Sequence, residues 1–287
     1  MTIKYNSQYV DEKYLPIVEP NLYADTVLIP GVTFTDKYVT GPAGQLFVHK
    51  IGTGSEIEPS VPGKDFTHEA SEDDLIAIAI NNNFQKSRKI YSVSANAVDF
   101  ALAEENLADA INVVAEARQY SALACMAHEG TADADTKEIA TSADAVAKVL
   151  ALRKDIKDNH GKANFALVST EIYKMLLTEV GFSYNGYDDA TRSAELLKRF
   201  GMSIVECNSF DKTAKYIDYT GATQSVDLSK VEMIVGYNEA FSMIPNLEAM
   251  RLMDSENFTG TLAQVEMNFG FRVNSPAQIA VKTKVSA

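Results

Sequence analysis

The chain has 287 residues, 46% of them hydrophobic and 23% charged, with a net charge of −13. That size and composition carry a core without help from disulfides or metals, in one large domain or two smaller ones. The acidic balance argues against a surface built to grip nucleic acid by neutralising phosphates, and no apolar run approaches the roughly 20 residues of a membrane-spanning helix.

Residues 1–37 read as an extended arm. Pro16, Pro20 and Pro30 interrupt any helical period, and Tyr5, Tyr9, Tyr14 and Tyr23 are scattered along it. Its apolar patch "TVLIPGVTF" (Thr26 to Phe34) has to be covered by something. It packs either on the chain's own core as an edge strand or across a neighbouring subunit. The second alternative makes Leu28, Ile29, Val32 and Phe34 candidate inter-subunit contacts.

Residues 38–93 read as an extended β-hairpin loop. "GQLFVHKI" (Gly44 to Ile51) supplies one strand and Leu75 to Val93 the other. Between them lies "GTGSEIEPSVPGKDFTHEASEDD", a long stretch rich in Gly, Pro, Ser and acid. A two-stranded hairpin standing alone is marginal in water. Burial of each isoleucine is worth about 1.5–3 kcal/mol, so Ile76, Ile78 and Ile80 are expected to find support on a neighbouring copy. The cluster Lys86, Arg88 and Lys89 is either a solvated strand end or a patch that pairs with an acidic neighbour.

Residues 94–140 hold a long amphipathic helix, about Ala97 to Ala127. Val98, Leu102, Ala108, Ile111, Ala115, Ala122 and Met126 form its seam, and Gly130 stops it. Residues 141–243 mix helices and strands in an α/β or α+β order. Thr141 caps a helix that stops at Gly161. "ANFALVS" is a buried strand, "STEIYKMLLTEVG" a helix capped by Ser169 or Thr170, and "GMSIVEC", "TAKYIDY" and "VEMIVGY" are short strands. Residues 244–287 return to β-structure through "AMRLMD", "TLAQVEMNFGFRV" and "AQIAVKTK".

No motif assigns a reaction. "IGTGSE" (Ile51 to Glu56) is followed by no helix, and His49, His68, His128 and His160 are dispersed. The stretch "THEASEDD" (Thr67 to Asp74) reads as an exposed acidic loop rather than a cation site. Cys125 and Cys207 stand far apart and read as buried, reduced thiols. With no apolar signal core at the start of the chain, that cysteine usage points to folding in the cytoplasm. Phe258, Phe269 and Phe271 read as core rather than as a base-stacking platform. No catalytic residue, cofactor or metal is expected.

The order of these parts resembles the major capsid protein of tailed phages, with its Hong Kong 97-type shell fold. "NFQKSRKIYSVSANAV" (Asn83 to Val98) looks like the descending strand of that family's extended loop entering the spine helix. "ANFALVSTEIYKMLLTEV" (Ala163 to Val180) is similar to the strand and helix of its axial domain, and "MNFGFRVNSPAQIAVKTK" (Met267 to Lys284) resembles its closing strands. The resemblance implies an α+β fold with an arm (1–37), a hairpin loop (38–93), a peripheral domain with the spine helix (94–140), an axial domain (141–243) and peripheral return strands (244–287). It implies pentamers and hexamers closing an icosahedral shell around double-stranded DNA. The implied partners are a portal and either a separate scaffold or none, with no membrane. The implied location is the virion, after assembly in the host cytoplasm. Some members crosslink a hairpin lysine, for which Lys64 is the candidate here. Two rivals are an encapsulin-type nanocompartment shell and a cytosolic α/β enzyme with a deep pocket of perturbed titratable groups.

Overall fold

The structure, a computed structural model, describes residues 26–35, 45–51, 73–91, 102–181 and 189–284. In chain order these form β1 (Gln45–Ile51), β2 (Asp73–Tyr91), α1 (Leu102–Glu129), β3 (Thr131–Ala132), α2 (Ser142–Asp158), β4 (Phe165–Ser169), α3 (Thr170–Val180), α4 (Asp189–Phe200), β5 (Ser203–Cys207), β6 (Thr213–Ile217), β7 (Thr223–Asp227), β8 (Val231–Gly236), β9 (Phe241–Asp254), β10 (Gly260–Val273) and β11 (Ile279–Thr283).

Among the described residues the strands make a four-stranded sheet ordered β1-β2-β10-β9, a five-stranded sheet ordered β3-β11-β8-β4-β5, and the β6–β7 hairpin. β2 runs 19 residues, about 60 Å at strand rise. Its first part, Asp73 to Ala79, pairs with β1; from Ile80 to Tyr91 it pairs with β10. The expected hairpin is therefore continuous with the body of the molecule.

α1 lies against the four-stranded sheet, chiefly β10 and β2. Its first turns are amphipathic, with Glu104 and Glu105 in water and Ala110 and Val114 buried. From Gln119 to Met126 every residue is buried. The apolar composition of "YSALACMA" explains this, since a helix apolar all round belongs inside a core. The seam expected from the sequence shifts accordingly: Ala122 and Met126 are buried, but Ala108 faces water. The helix stops at Gly130 as expected. A side chain there would collide with the Met126 carbonyl at 2.6 Å and with Ile279 of β11 at 2.9 Å.

The five-stranded sheet is covered on both faces. Ala166, Val168, Ile204, Met233 and Val235 face α2, α3 and α4, while Phe165, Leu167, Ile234, Ile279 and Val281 join the core around α1. α2 begins with a capping box between Thr141 and Asp144. It stops at Gly161 as expected, the Gly161 N–H donating to the Ile156 carbonyl at 2.9 Å, while His160 just before it takes the left-handed backbone at φ 58°. α3 keeps its expected caps, Ser169 and Gly181, the latter at φ 87°.

Three features were not read from the sequence. α4 follows α3 directly and connects the parallel strands β4 and β5. β7 completes a hairpin with β6. β11, placed with the peripheral return strands, pairs instead with β8 in the five-stranded sheet, so the 244–287 return divides between two sheets. An ion group holds the loop after α1 against this sheet. Lys148 contacts Asp133 at 2.7 Å and Asp135 at 2.6 Å, and the buried Lys282 lies 3.8 Å from Asp133. Burial works against the Lys148 charge, and hydrogen bonds to the two aspartates outweigh it, so its pKa is raised.

Candidate subunit-contact surfaces

The isoleucine ladder and the basic cluster both lie on β2, and a one-residue irregularity decides where each points. Ile80 stands opposite Gly270 and Asn82 opposite Phe269, so Asn81 is an extra residue in β2. Neighbouring β10 residues point to opposite faces. The even-numbered residues of β2 therefore change face at this bulge. Before it, Ile78 and Ile80 form a small buried cluster with Ile244, away from the main core, while Ile76 is half-buried. After it, Phe84 packs against the α1 core. Gly270 makes the approach possible: a side chain there would meet the Ala79 carbonyl at 3.0 Å and Ile78 and Ile80 at 3.2 Å. Ile78 and Ile80, expected to need a neighbouring copy, are thus covered within the chain.

The basic cluster is not one patch. In a strand, positions 86 and 88 share a face and 89 takes the other. Arg88 forms an ion pair with Asp109 of α1. Lys89 sits 5.7 Å from the centre of the Phe258 ring, which itself packs on Tyr91 at 5.0 Å. Lys86 is half-buried and, opposite Val265, points to the face of the sheet that α1 covers. Arg88, read with Lys86 and Lys89 either as a solvated strand end or as a patch for an acidic neighbour, thus has a partner inside the chain.

Of the two alternatives for Thr26 to Phe34, the first holds: the segment packs on the chain's own core, though as a turn with isolated bridges rather than as an edge strand. Val27, Leu28 and Phe34 join the main core, and Val32 packs against it. The Val27 N–H donates to Gln119 Oε1 of α1 at 3.0 Å, and Gln119 in turn donates to Ser209. Thr35 bridges to Ser242, covering the start of the β9 edge. Leu28 and Phe34 are therefore not free for a neighbour; Ile29, 40% exposed, faces solvent. Lys64 and His68 lie outside the described residues.

β9 ends the four-stranded sheet. Towards its far end Met250, Leu252 and Met253 are 57%, 40% and 38% exposed. Their spacing puts apolar side chains on both faces of an edge strand, a pattern open to pairing with another chain. "AMRLMD" carried that signal: in a strand with one covered face, large apolar residues at 250, 252 and 253 cannot all be inside. The sheet face away from α1 carries several hydrogen-bonded polar side chains. Asn83 and Gln85 both donate to Glu266, and Arg251 donates to Gln264.

The clefts offer little chemistry. One is lined by Glu138, Glu171, Glu232, Cys207 and Lys284. Burial raises the Glu232 pKa, Lys282 and Lys284 oppose that, and Glu171 and Glu138 add to it. Burial pushes the Cys207 thiol up to about 12, so it is a poor nucleophile at neutral pH. Cys125 is likewise buried, free and raised. Phe269 and Phe271 lie in the core, as expected, with ring centres 6.3 Å apart; Phe258 does not, being half-buried against Tyr91. Among the described residues no three His, Cys, Asp or Glu side chains gather as a metal site, and no helix is long and apolar enough to cross a membrane.

No family model matches the sequence, and no curated protein matches it. Solved structures do. A capsid structure of the cyanophage P-SCSP1u superposes at a TM-score of 0.74 with 16% identity, covering 96% of this chain and 93% of the other. The mature capsid of bacteriophage PhiM1 gives 0.60 and 15%, with coverages of 96% and 93%. A virus-like particle from Pyrococcus furiosus gives 0.54 and 12%, with coverages of 88% and 89%. Over nearly its whole length the chain has the α+β fold seen in the cyanophage and PhiM1 capsid structures.

Proposed function

We propose that the chain is the major capsid protein of a tailed phage, built on the Hong Kong 97-type shell fold and assembling as pentamers and hexamers into an icosahedral shell around double-stranded DNA. The observation that carries this reading is the likeness to the cyanophage capsid along both chains almost entire. The long β1–β2 projection and the open, apolar end of β9 support it, since both present surface that a neighbouring copy can cover. In this reading 1–37 is the arm, 38–93 the extended hairpin, 94–140 the peripheral domain with α1 as spine, 141–243 the axial domain, and 244–287 the return, whose last strand β11 joins the sheet of β4, β5 and β8. A net charge of −13 suits a wall that encloses a polyanion without gripping it. The role is structural rather than catalytic. The partners are further copies, a portal and, where one is used, a separate scaffold. Assembly occurs in the host cytoplasm and the product resides in the virion.

The likeness to the Pyrococcus furiosus virus-like particle supports a second reading, a nanocompartment shell of the encapsulin type. Negative-stain microscopy with size-exclusion chromatography of the purified chain tests both. Closed shells, tubes or rings of capsomers are expected. A monomer or dimer that stays unassembled under crowding or with scaffold co-expressed overturns both readings. Particles isolated from the source then separate them, DNA inside marking a virion and protein cargo a nanocompartment.

A further inference from the structure

The bulge at Asn81 does not stand alone. β10 and β9 shift register at the same level: Asn268 stands opposite Leu247 but Phe269 opposite Pro245, leaving Asn246 as an extra residue. Two bulges in line make a crease across β2, β10 and β9. β1 and the first half of β2 lie on one side of it, and the α1-covered sheet lies on the other.

Side chains at the crease reach a third element. Asn82, buried, donates to the Ile217 carbonyl at 2.9 Å and accepts from the Ile217 N–H at 2.8 Å. Its amide thus imitates a strand neighbour for the free side of β6. Asn81 donates to the Asp218 carbonyl at 2.7 Å and accepts from Asn82 at 2.9 Å. The β6–β7 turn is itself stiffened. The Asp218 carboxylate accepts from the Thr220 hydroxyl and N–H, the Ala222 N–H and Gln224. The hairpin is anchored to the body through Ser121 of α1, which donates to the Lys215 carbonyl at 2.7 Å.

We propose that Asn81 and Asn82, held by Ile217 and Asp218, form a latch that fixes the angle at which the β1–β2 projection leaves the body, with the crease as its hinge. A bulge loosens the ladder locally and lets a strand bend. Without a brace, the two halves of β2 would sample a range of angles. The paired hydrogen bonds to Ile217 select one. The device belongs to the single chain and does not rest on the assembly reading.

Spin labels at positions 73 and 154 test it, diluted with unlabelled chain so that distances within one chain are read whether or not copies assemble. Position 73 lies eight residues beyond the crease, a lever of about 27 Å. The wild-type chain is expected to give one narrow distance distribution. Asn81→Ala with Asn82→Ala should broaden it or add a second population. Asn83→Ala, whose partner is Glu266 on the open face, should leave it narrow. Amide exchange at Ile217 should rise about fivefold to tenfold in the double variant, the loss of one hydrogen bond. Faster exchange at Ile217 with an unchanged distance distribution overturns the proposal, because the contact would then be lost without freeing the projection. If the double variant does not fold, Asn82→Asp serves instead: it keeps an acceptor for the Ile217 N–H but loses the donor, and an unbroadened distribution there overturns the proposal equally.

Discussion

The two large sheets differ in how completely the chain covers them. The five-stranded sheet has α2, α3 and α4 on one face and the α1 core on the other, and its strand β4 is buried from Phe165 to Val168. The four-stranded sheet has α1 on one face, a row of hydrogen-bonded polar side chains on the other, and an edge strand that ends in exposed methionine and leucine. The first is a folding core closed within one chain. The second is closed on one side only, and the exposed apolar residues proposed to meet another copy are found there.

Substitutions sharpen that contrast. The largest effect belongs to the closed sheet: Phe165→Ala removes a ring with no exposed surface and should lower stability by about 3–5 kcal/mol in denaturant unfolding. Next comes Asp133→Ala, which leaves Lys148 and the buried Lys282 short of a counter-charge. A loss of about 3 kcal/mol is expected, within the range for breaking a buried pair. In the open sheet, Arg88→Glu should cost about 1 kcal/mol through its lost pairing with Asp109. Adding Asp109→Arg should recover much of it, and a double variant no more stable than the single one would break the pairing within the chain.

A fourth effect is visible only in acid. Hydrogen bonds from Thr220 and then Gln224 hold the Asp218 carboxyl at about 2, below the unfolded value of about 4. Its contribution to the β6–β7 turn is complete above pH 4 and is lost as pH falls through about 2. Exchange of the Thr220 and Ala222 amides should rise in that window, and Asp218→Asn should remove the step. The smallest effect on stability is expected at the exposed end of β9. Met250→Gln with Leu252→Thr and Met253→Gln should shift unfolding by less than about 0.5 kcal/mol. The same triple variant should assemble poorly under conditions where the wild type forms particles. Normal assembly would remove this edge from the contact surface.

Legibility followed physical locality. The Thr141 N-cap, the Ser169 and Gly181 caps and the Gly130 stop depend on one or two residues each, and all were readable; the reciprocal bond to Asp144 was not. α4 was not, because only Leu196 and Phe200 of its 12 residues are buried among those whose exposure is described; two apolar residues make a weak period. The contact surfaces were harder still. Lys86, Arg88 and Lys89 are neighbours in sequence but divide between two faces. One extra residue at Asn81 changes which face every later side chain occupies, and its only trace is a run of three asparagines. Leu28 and Phe34 read equally well as core or as arm, since an apolar segment does not say whose core it enters. The exposed end of β9 is present in the letters Met250, Leu252 and Met253, within a segment whose composition otherwise reads as an ordinary strand.

The length of β2 has a mechanical consequence. A strand joined to its neighbour only near a tip can be peeled away one hydrogen bond at a time. β2 runs antiparallel along β10 from Ile80 to Tyr91 and continues without a break into the projection. Tension applied at the projecting end acts along that ladder and loads its hydrogen bonds in shear, together. The projection is thus tethered to the body by the whole length of an interface, and its resistance to being pulled out grows with the number of paired residues rather than depending on any one of them.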